Sequence, residues 1–171
     1  MDSAHARQFS KQLLAAGELD GWKLKSPIGA GKSAVVFKAL RDGQWAALKV
    51  FHPELVERYG IEAQKIRIDR ERGLIGTSHP NLVDILDGGI CNTHGHPYVA
   101  MELVEGSILS EALDEIPRDA IAPIIEQMAR GAKHLEDMGL VHRDIKPDNI
   151  MLLGLNPPRI KLLDFGVLDQ S

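Results

Sequence analysis

Two short polar segments in the last third of the chain constrain this sequence more than any other feature. The first is His142-Arg143-Asp144-Ile145-Lys146-Pro147-Asp148-Asn149, and the second, starting twenty residues after Asp144, is Asp164-Phe165-Gly166. Short apolar stretches at 150–153 and 160–163 lie between them, and both are predicted to be strands. The first segment therefore places carboxylates, a lysine and an amide before a small stretch of sheet, and the second places a carboxylate after it.

The two segments resemble the catalytic loop and the magnesium-binding motif of protein kinases. The resemblance implies that Asp144 accepts or orients the proton of the attacking hydroxyl, and that Lys146 neutralises the γ-phosphate. It also implies that Asn149 and Asp164 hold Mg²⁺, an ion that carboxylate and amide oxygens suit. A lysine two residues after the aspartate is typical of the Ser/Thr branch of the family.

A glycine-rich turn, Gly29-Ala30-Gly31-Lys32-Ser33, separates predicted strands at 22–28 and 34–40. It is not a P-loop, because Ser26 occupies the position of that motif's first glycine. It is not a dinucleotide fingerprint either, because a strand follows it instead of a helix. By resemblance it is the kinase glycine loop, whose backbone N–H groups contact the phosphates of ATP. The ATP contacts predicted here are Ile28, Gly29, Ala30, Gly31 and Val36.

A lysine stands among apolar residues in the third predicted strand, 44–51, in the run Ala47-Leu48-Lys49-Val50. A buried ammonium needs a partner, because an unpaired charge is costly to remove from water. The resemblance implies that Lys49 contacts the α- and β-phosphates of ATP, that Ala47 lines the nucleotide site, and that a helix glutamate pairs with the lysine.

Glu71 is the first candidate for that glutamate, in a helix predicted over 61–75. Ile68, Glu71 and Ile75 share one face of this helix, which directs the carboxylate inward with the apolar residues. The other candidates are Glu62 and, after it, Asp69.

The segment Met101-Glu102-Leu103-Val104-Glu105-Gly106 resembles the hinge between the two lobes of a kinase. The resemblance implies that Met101 is the gatekeeper, that the backbone of Glu102 and Val104 bonds to the adenine edge, and that Met151 lies under the base.

The expected fold is α+β and protein-kinase-like, with two lobes. Residues 1–20 form an N-terminal helical extension with a helix over 3–16. Residues 21–101 form a small lobe of antiparallel sheet plus one helix, and residues 102–171 form the hinge and an incomplete, mainly helical large lobe. The other predicted elements are a strand that begins within 82–86, a strand at 98–103 and a helix over 120–138.

The chain stops five residues after Gly166. In the family, the rest of the activation segment, its Ala-Pro-Glu anchor and several helices follow this point, so we interpret the chain as a fragment of a longer kinase. The helix over 120–138 is broadly apolar, and without those parts we expect it to expose a large patch that favours aggregation or a partner.

Composition excludes several other classes of protein. A net charge of −4 over 171 residues gives no sign of a nucleic-acid-binding surface. No apolar run approaches the ~20 residues of a membrane span. The single cysteine, Cys91, cannot form an internal disulfide, which fits a cytoplasmic location. His94 and His96 have no third ligand nearby, so a metal site in that turn is disfavoured.

The predicted function is ATP- and Mg²⁺-dependent phosphoryl transfer to serine or threonine hydroxyls of a protein substrate. One alternative is a non-catalytic ATP-binding or scaffold module, since the family's substrate platform is absent. Another is a small-molecule kinase of related fold, although such enzymes usually lack the Lys146-Pro147 pair.

Overall fold

The computed structural model describes residues 3–31, 33–165 and 169–170. The chain divides into two packing units. The first is Met1–Ile75 with Ile85–Leu103, and the second is Gly76–Asp84 with Val104–Ser171. The predicted domain boundaries at residues 20 and 101 stay a prediction, because a packing unit is not by itself an independently folding domain.

The first unit is an antiparallel sheet with three helices. Its helices are α1 (Ser3–Ala16), α2 (Pro53–Tyr59) and α3 (Ile61–Arg72). Its strands are β1 (Glu18–Leu19), β2 (Trp22–Ala30), β3 (Ala34–Arg41), β4 (Gln44–Phe51), β5 (Ile85–Ile90) and β6 (Pro97–Glu102). The strand order is β1-β2-β3-β4-β6-β5, and every neighbouring pair is antiparallel.

Alternation along β3 and β4 gives the sheet one wholly apolar face. Val35, Phe37, Leu48 and Val50 are fully buried in a core that also contains Phe9 and other apolar residues of α1. Successive side chains of a strand point to opposite faces, so the residues between these belong to the other face. The predicted N-terminal helix is confirmed over its full range, and it packs on the sheet as an integral layer of the unit.

Two helices of this unit differ from the prediction. α3 ends at Arg72 instead of residue 75, and Ile75 is 45% exposed. The reason is local, because Gly73 follows the helix and glycine is a poor helix former. α2 was not predicted, and Pro53 is the first residue of this helix, a position where proline is favoured.

The second unit contains one long helix and short strands. Its elements are β7 (Ser107–Ile108), α4 (Arg118–Asp137), β8 (Leu140–Val141), β9 (Ile150–Leu155), β10 (Pro158–Leu162) and β11 (Asp169–Gln170). They form a sheet of order β10-β9-β7 and a pair β11-β8. The helix predicted over 120–138 and the strands predicted at 150–153 and 160–163 are confirmed with shifted ends, as α4, β9 and β10. The α+β class is also confirmed.

The strand predicted to begin within 82–86 is confirmed, although residues 82–84 precede it. Leu82 and Val83 are buried, but they lie beside the end of β10, with the Val83 N–H donating to the Leu162 carbonyl at 3.0 Å. Strand β5 begins only at Ile85. The sequence predicts no partner for Leu82 and Val83, because hydrophobicity does not say which distant strand a segment bonds to.

Helix α4 is amphipathic. Ile124 and Leu135 are buried, whereas Ile121 and Ile125 are 47% and 58% exposed. The expected exposed apolar face is therefore present, and the aggregation or partner predicted from it stays a prediction. Across the described ranges, no helix is long and apolar enough to cross a membrane.

Candidate active site

The second unit brings three of the predicted catalytic residues into direct contact. The Asp144 carboxylate accepts hydrogen bonds from Lys146 Nζ at 2.8 Å and from Asn149 Nδ2 at 2.8 Å. Asn149 Nδ2 also donates to the Asp144 carbonyl at 2.9 Å. A short 3₁₀ turn, Pro147–Asn149, bends the chain back so that residues five positions apart meet.

These bonds set the charges of the loop. The hydrogen bond from Lys146 holds the pKa of Asp144 below its usual value, burial opposes this effect, and the bond from Asn149 acts in the same direction as Lys146. The same contact raises the pKa of Lys146. Near neutral pH, Asp144 is therefore an anion beside a cation. A carboxylate with a lowered pKa is a weak base, so it suits orienting a hydroxyl better than strong deprotonation.

His142 connects this loop to the Asp-Phe segment. Its Nε2–H donates to the Leu163 carbonyl at 3.1 Å, and its Nδ1 accepts the Asp144 N–H at 3.3 Å. The two roles require the neutral tautomer with the proton on Nε2. The imidazole also meets the buried ring of Phe165 edge to face, at 5.6 Å between centroids. His142 thus fixes the position of Asp144 relative to the residue before Asp164.

Among the described residues, four other than glycine have positive φ angles; Asp20 and Asp42 lie in the first unit, and the other two lie in these segments. Arg143 and Asp164 have φ angles of 60° and 56°, in the left-handed region that residues with a side chain rarely adopt. Each such residue costs about 1–3 kcal/mol and persists only where its surroundings enforce it. Residues in this condition cluster at functional sites, which agrees with the roles predicted for this loop.

The donor atoms near Asp164 fit a magnesium ion. The amide nitrogen of Asn149 is used on Asp144, so its oxygen is the atom that a cation would bind. The Asp164 carboxylate lies near enough to Asp144 to oppose the lowering of its pKa. Among the described residues, no group of three metal-binding side chains occurs. Mg²⁺ takes one or two protein oxygens and completes its shell with water and phosphate, so one carboxylate and one amide oxygen are the kind of ligands that it needs.

Several of the other predicted residues lie on one face of the sheet of the first unit. Lys49 lies opposite Val36 on β3 and Val99 on β6. Ala47, two residues before Lys49, lies opposite Met101 on β6. Because the side-chain period of a strand is two, all five share the face opposite the apolar core. Lys49 is 6% exposed, as expected for a lysine that serves as a buried contact.

The side chains around Phe51 favour Glu71 as the partner of Lys49. Lys49 Nζ lies 5.0 Å from the Phe51 ring centroid, and the Arg67 guanidinium lies 4.6 Å from it. Glu71 follows Arg67 by one helical turn, so the two share a face of α3. Glu71 is fully buried on that face.

The other two candidates for the lysine partner are exposed. Glu62 pairs with Lys65 at 2.7 Å, and Asp69 pairs with Arg72 at 3.4 Å, both on the surface of α3. Exposed pairs of this kind contribute little and do not require a second cation.

The glycines of the hairpin are exposed, and no neighbouring atom crowds them. Gly29 pairs with Val36, and the Gly31 N–H donates to the Ala34 carbonyl at 2.9 Å. A Cβ at Gly29 or Gly31 would come no closer than 3.7 Å and 3.9 Å to its neighbours, an ordinary contact. Neither glycine is demanded by a clash, which fits a loop that a ligand approaches closely. Ile28 is 50% exposed beside it, and Lys32 lies outside the described residues.

The predicted hinge residues fall in both units. Met101 and Glu102 end β6 in the first unit, where Glu102 lies opposite Ala46. Val104 begins the second part of the second unit, and Met151 lies in β9 opposite Ile108. Gly166 and Ser171 lie outside the described ranges.

Sequence reasoning did not identify Gly106 as a constrained position. A Cβ at Gly106 would lie 2.3 Å from the Leu152 carbonyl oxygen, so only glycine lets the backbone pass β9 here. The sequence feature that could have indicated this constraint is the glycine at the end of the predicted hinge segment.

A buried amide network was also missed. Asn81 Nδ2 donates to Gln127 Oε1 at 3.0 Å and to the Ile160 carbonyl at 3.1 Å. Gln127 in turn accepts the Ile160 N–H at 3.0 Å and donates to the Pro158 carbonyl at 2.8 Å. The network attaches α4 to β10, the strand that leads to Asp164. A polar residue within the apolar stripe of α4 was the signal available for it.

A protein-family model and several curated proteins match the sequence of this chain. The family model described as "Protein kinase domain" matches residues 22–171. The serine/threonine-protein kinase pkn2 of Myxococcus xanthus is 32% identical over 156 residues, which are 87% of this chain and 18% of that protein. The serine/threonine-protein kinase PksC of Streptomyces coelicolor is 32% identical over 171 residues, 92% of this chain and 29% of PksC.

Solved protein kinase structures have a similar fold. The crystal structure of the Mycobacterium tuberculosis PknI kinase domain matches with a TM-score of 0.75 at 25% identity, covering 90% of this chain and 63% of that one. The chain spans about a fifth to a third of the length of the curated relatives named above. The predicted kinase-like fold is confirmed, and the chain belongs to the protein kinase family.

Proposed function

We propose that this chain supplies the ATP-binding and catalytic segments of a protein serine/threonine kinase. The observation that carries the proposal is the single loop in which Asp144 is hydrogen-bonded to both Lys146 and Asn149. Such an arrangement offers an oriented carboxylate, a phosphate-neutralising cation and a metal-binding oxygen at one place. Phosphoryl transfer depends mainly on positioning and on charge neutralisation, and these groups supply both.

In the proposed reaction, the Asp144 carboxylate orients a serine or threonine hydroxyl and takes its proton as the new bond forms. The hydroxyl oxygen bonds to the γ-phosphorus of ATP, the bond from that phosphorus to the β–γ bridging oxygen breaks, and ADP leaves. Lys146 stabilises the charge on the transferred group. Mg²⁺ held by Asn149 and Asp164 would neutralise the phosphate oxygens.

The first unit would bind the rest of the nucleotide. Lys49, oriented by Glu71, is assigned to the α- and β-phosphates, and the hairpin around Gly29 and Gly31 would cover them. Val36, Ala47 and Met101 would form the apolar surface for adenine, because they share one sheet face with Lys49. The backbone of Glu102 would bond to the adenine edge, and the adenine contacts predicted for Val104 and Met151 are assigned to the second unit.

Neither alternative function is favoured over this one. The relatives are named protein kinases, and the Lys146-Pro147 pair is present, which argues against a small-molecule kinase. A non-catalytic module would not need the bonded set of Asp144, Lys146 and Asn149. The proposal includes a protein partner with serine or threonine, no nucleic-acid partner, and a cytoplasmic location, where ATP is available and a lone cysteine stays reduced.

Thermal unfolding with and without Mg-ATP tests the nucleotide site. A ligand that binds only the folded state adds about 2.7 kcal/mol of stability at 100 times its Kd. We expect a Tm increase in the wild type that is lost in Lys49→Met and in Asp164→Ala. Lys65→Met is the matched control, because Lys65 is an exposed lysine that pairs only locally with Glu62.

Two results of the Tm measurement would contradict parts of the proposal. A Tm increase that survives in Lys49→Met would contradict the assignment of that lysine. No increase in any protein would show that this chain does not bind nucleotide alone, and the function would then belong to a longer parent.

A further inference from the structure

His52 connects the N-terminal helix to the tip of the glycine hairpin. It follows β4 directly and is 1% exposed. Its ring Nε2 lies 3.0 Å from the Gly31 carbonyl oxygen, and its backbone N–H donates to the Ser33 carbonyl at 2.9 Å. A carbonyl oxygen can only accept, so Nε2 carries the proton in this contact.

The other side of the imidazole is held by α1. The Phe9 ring packs against it with 5.4 Å between centroids and an interplanar angle of 57°. Phe9 is itself buried and meets His96 edge to face at 5.0 Å. The position of His52 therefore depends on where α1 docks.

The remaining ring nitrogen shows that packing alone does not account for this histidine. Nδ1 is buried and has no hydrogen-bond partner in the part of the chain that the structure describes. A buried polar atom without a partner destabilises the folded state, so an apolar ring would pack here at lower cost. The bond from Nε2 to Gly31 is the contact that an apolar ring could not make.

Gly31 needs such a contact, because glycine has more backbone freedom than any other residue. Its N–H is bonded to the Ala34 carbonyl, and His52 bonds its carbonyl oxygen. We propose that His52 is a positioning residue that fixes the Gly31 peptide, and that α1 acts through Phe9 and His52 to set the affinity for nucleotide. The inference rests on the proposed nucleotide-binding role of the hairpin, and its basis is preorganisation, since a loop already ordered loses less entropy on binding.

Two variants of His52 separate the hydrogen bond from the packing. His52→Phe keeps an aromatic ring against Phe9 and removes the donor, whereas His52→Gln keeps an N–H donor at a similar reach. The measurements are the Kd for Mg-ATP and the amide hydrogen exchange of residues 29–36 without nucleotide. We expect about three- to ten-fold weaker ATP binding and faster exchange in His52→Phe, from the loss of one hydrogen bond. His52→Gln should restore both toward wild type.

Phe9→Leu tests the helix independently, because it leaves the His52 donor in place. We expect faster exchange of the hairpin and weaker ATP binding, by less than in His52→Phe. Wild-type exchange and affinity in both His52→Phe and Phe9→Leu would overturn the proposal. Faster exchange in His52→Phe with ATP affinity equal to that of the wild type would overturn the link between Gly31 and nucleotide and leave the proposed function standing. No ATP binding by the wild type would instead be a failure of the proposed function of this chain.

Discussion

At the scale of single residues, Asp144 and Asp164 are two carboxylates of the same motif pair with different surroundings. Asp144 is bonded to a lysine and to an amide, which hold its pKa low. Asp164 sits in strained backbone directly before the buried Phe165. The first arrangement suits orienting a hydroxyl, and the second suits holding a carboxylate toward a cation.

We therefore expect substitutions at the two positions to have different effects. Asp144→Asn should leave Mg-ATP affinity within about two-fold and lower phosphoryl transfer by ~10²–10⁴-fold, the usual effect of losing a positioned base. Asp164→Ala should abolish magnesium-dependent ATP binding. Calorimetric titration and transfer to a serine-containing protein measure the two effects. Equal Mg-ATP affinity of wild type and Asp164→Ala would contradict the metal assignment.

Gly106 provides a second prediction at this scale. Gly106→Ala should lower the free energy of unfolding by about 1–3 kcal/mol, because the new methyl group would clash with the Leu152 carbonyl. Gly154→Ala is the control. Gly154 lies in β9 two residues after Leu152, and a Cβ there would meet nothing nearer than 3.9 Å. Urea unfolding measures both, and equal effects of the two substitutions would contradict the steric explanation.

At the scale of elements, the attachment of α4 to β10 depends on amides as well as on apolar packing. Gln127 makes hydrogen bonds with Asn81, Pro158 and Ile160. Since Asn81 also bonds Ile160, the network joins three segments that are distant in sequence. The strand that carries the chain to Asp164 is therefore positioned by side-chain hydrogen bonds together with Ile124 and Leu135 in the core.

Removing the centre of this network should be costly. We expect Gln127→Ala to lower the free energy of unfolding by about 1–3 kcal/mol, because buried partners lose their hydrogen bonds. Glu126→Ala is the control, as Glu126 is exposed and pairs only with Arg130 one turn away, so its loss should change stability by less than about 0.5 kcal/mol. Denaturant unfolding of both variants provides the measurement. A loss in Glu126→Ala as large as in Gln127→Ala would contradict it.

At the scale of the whole molecule, the imidazoles of His79 and His96 make the free energy of unfolding depend on pH. Burial lowers the pKa of His79, and the neighbouring His134 lowers it further. Burial also lowers the pKa of His96, with a contribution from His94. Both side chains therefore stay neutral in the folded chain at a pH where they would be protonated after unfolding.

The sign of the pH dependence follows from this difference. Above pH 6.5, the ordinary value for histidine, both states are neutral and the two groups have little effect. As the pH falls below 6.5, the unfolded chain takes up protons that the folded chain does not, so stability decreases. Urea midpoints at pH 5.5 and 7.5 measure this. His79→Asn with His96→Phe should reduce the decrease, and an unchanged pH dependence in that double variant would contradict the explanation.

Local patterns in the sequence were sufficient for much of the fold and of the candidate site. The helix over 3–16 and the strand over 44–51 have the predicted bounds, since side-chain periodicity and turn residues are local signals. The contact of Asp144 with Lys146 and Asn149 is also local, because it joins residues within five positions. The roles assigned to these residues stay predictions.

Only the tertiary structure decided the contacts between distant segments. It paired Val83 with Leu162, directed Gln127 to Asn81, and placed His52 between Phe9 and Gly31. The physical reason is that hydrophobicity and propensity describe how one segment prefers to fold. The choice of a partner depends on the free energy of the whole packed arrangement, to which residues far apart in the chain contribute together.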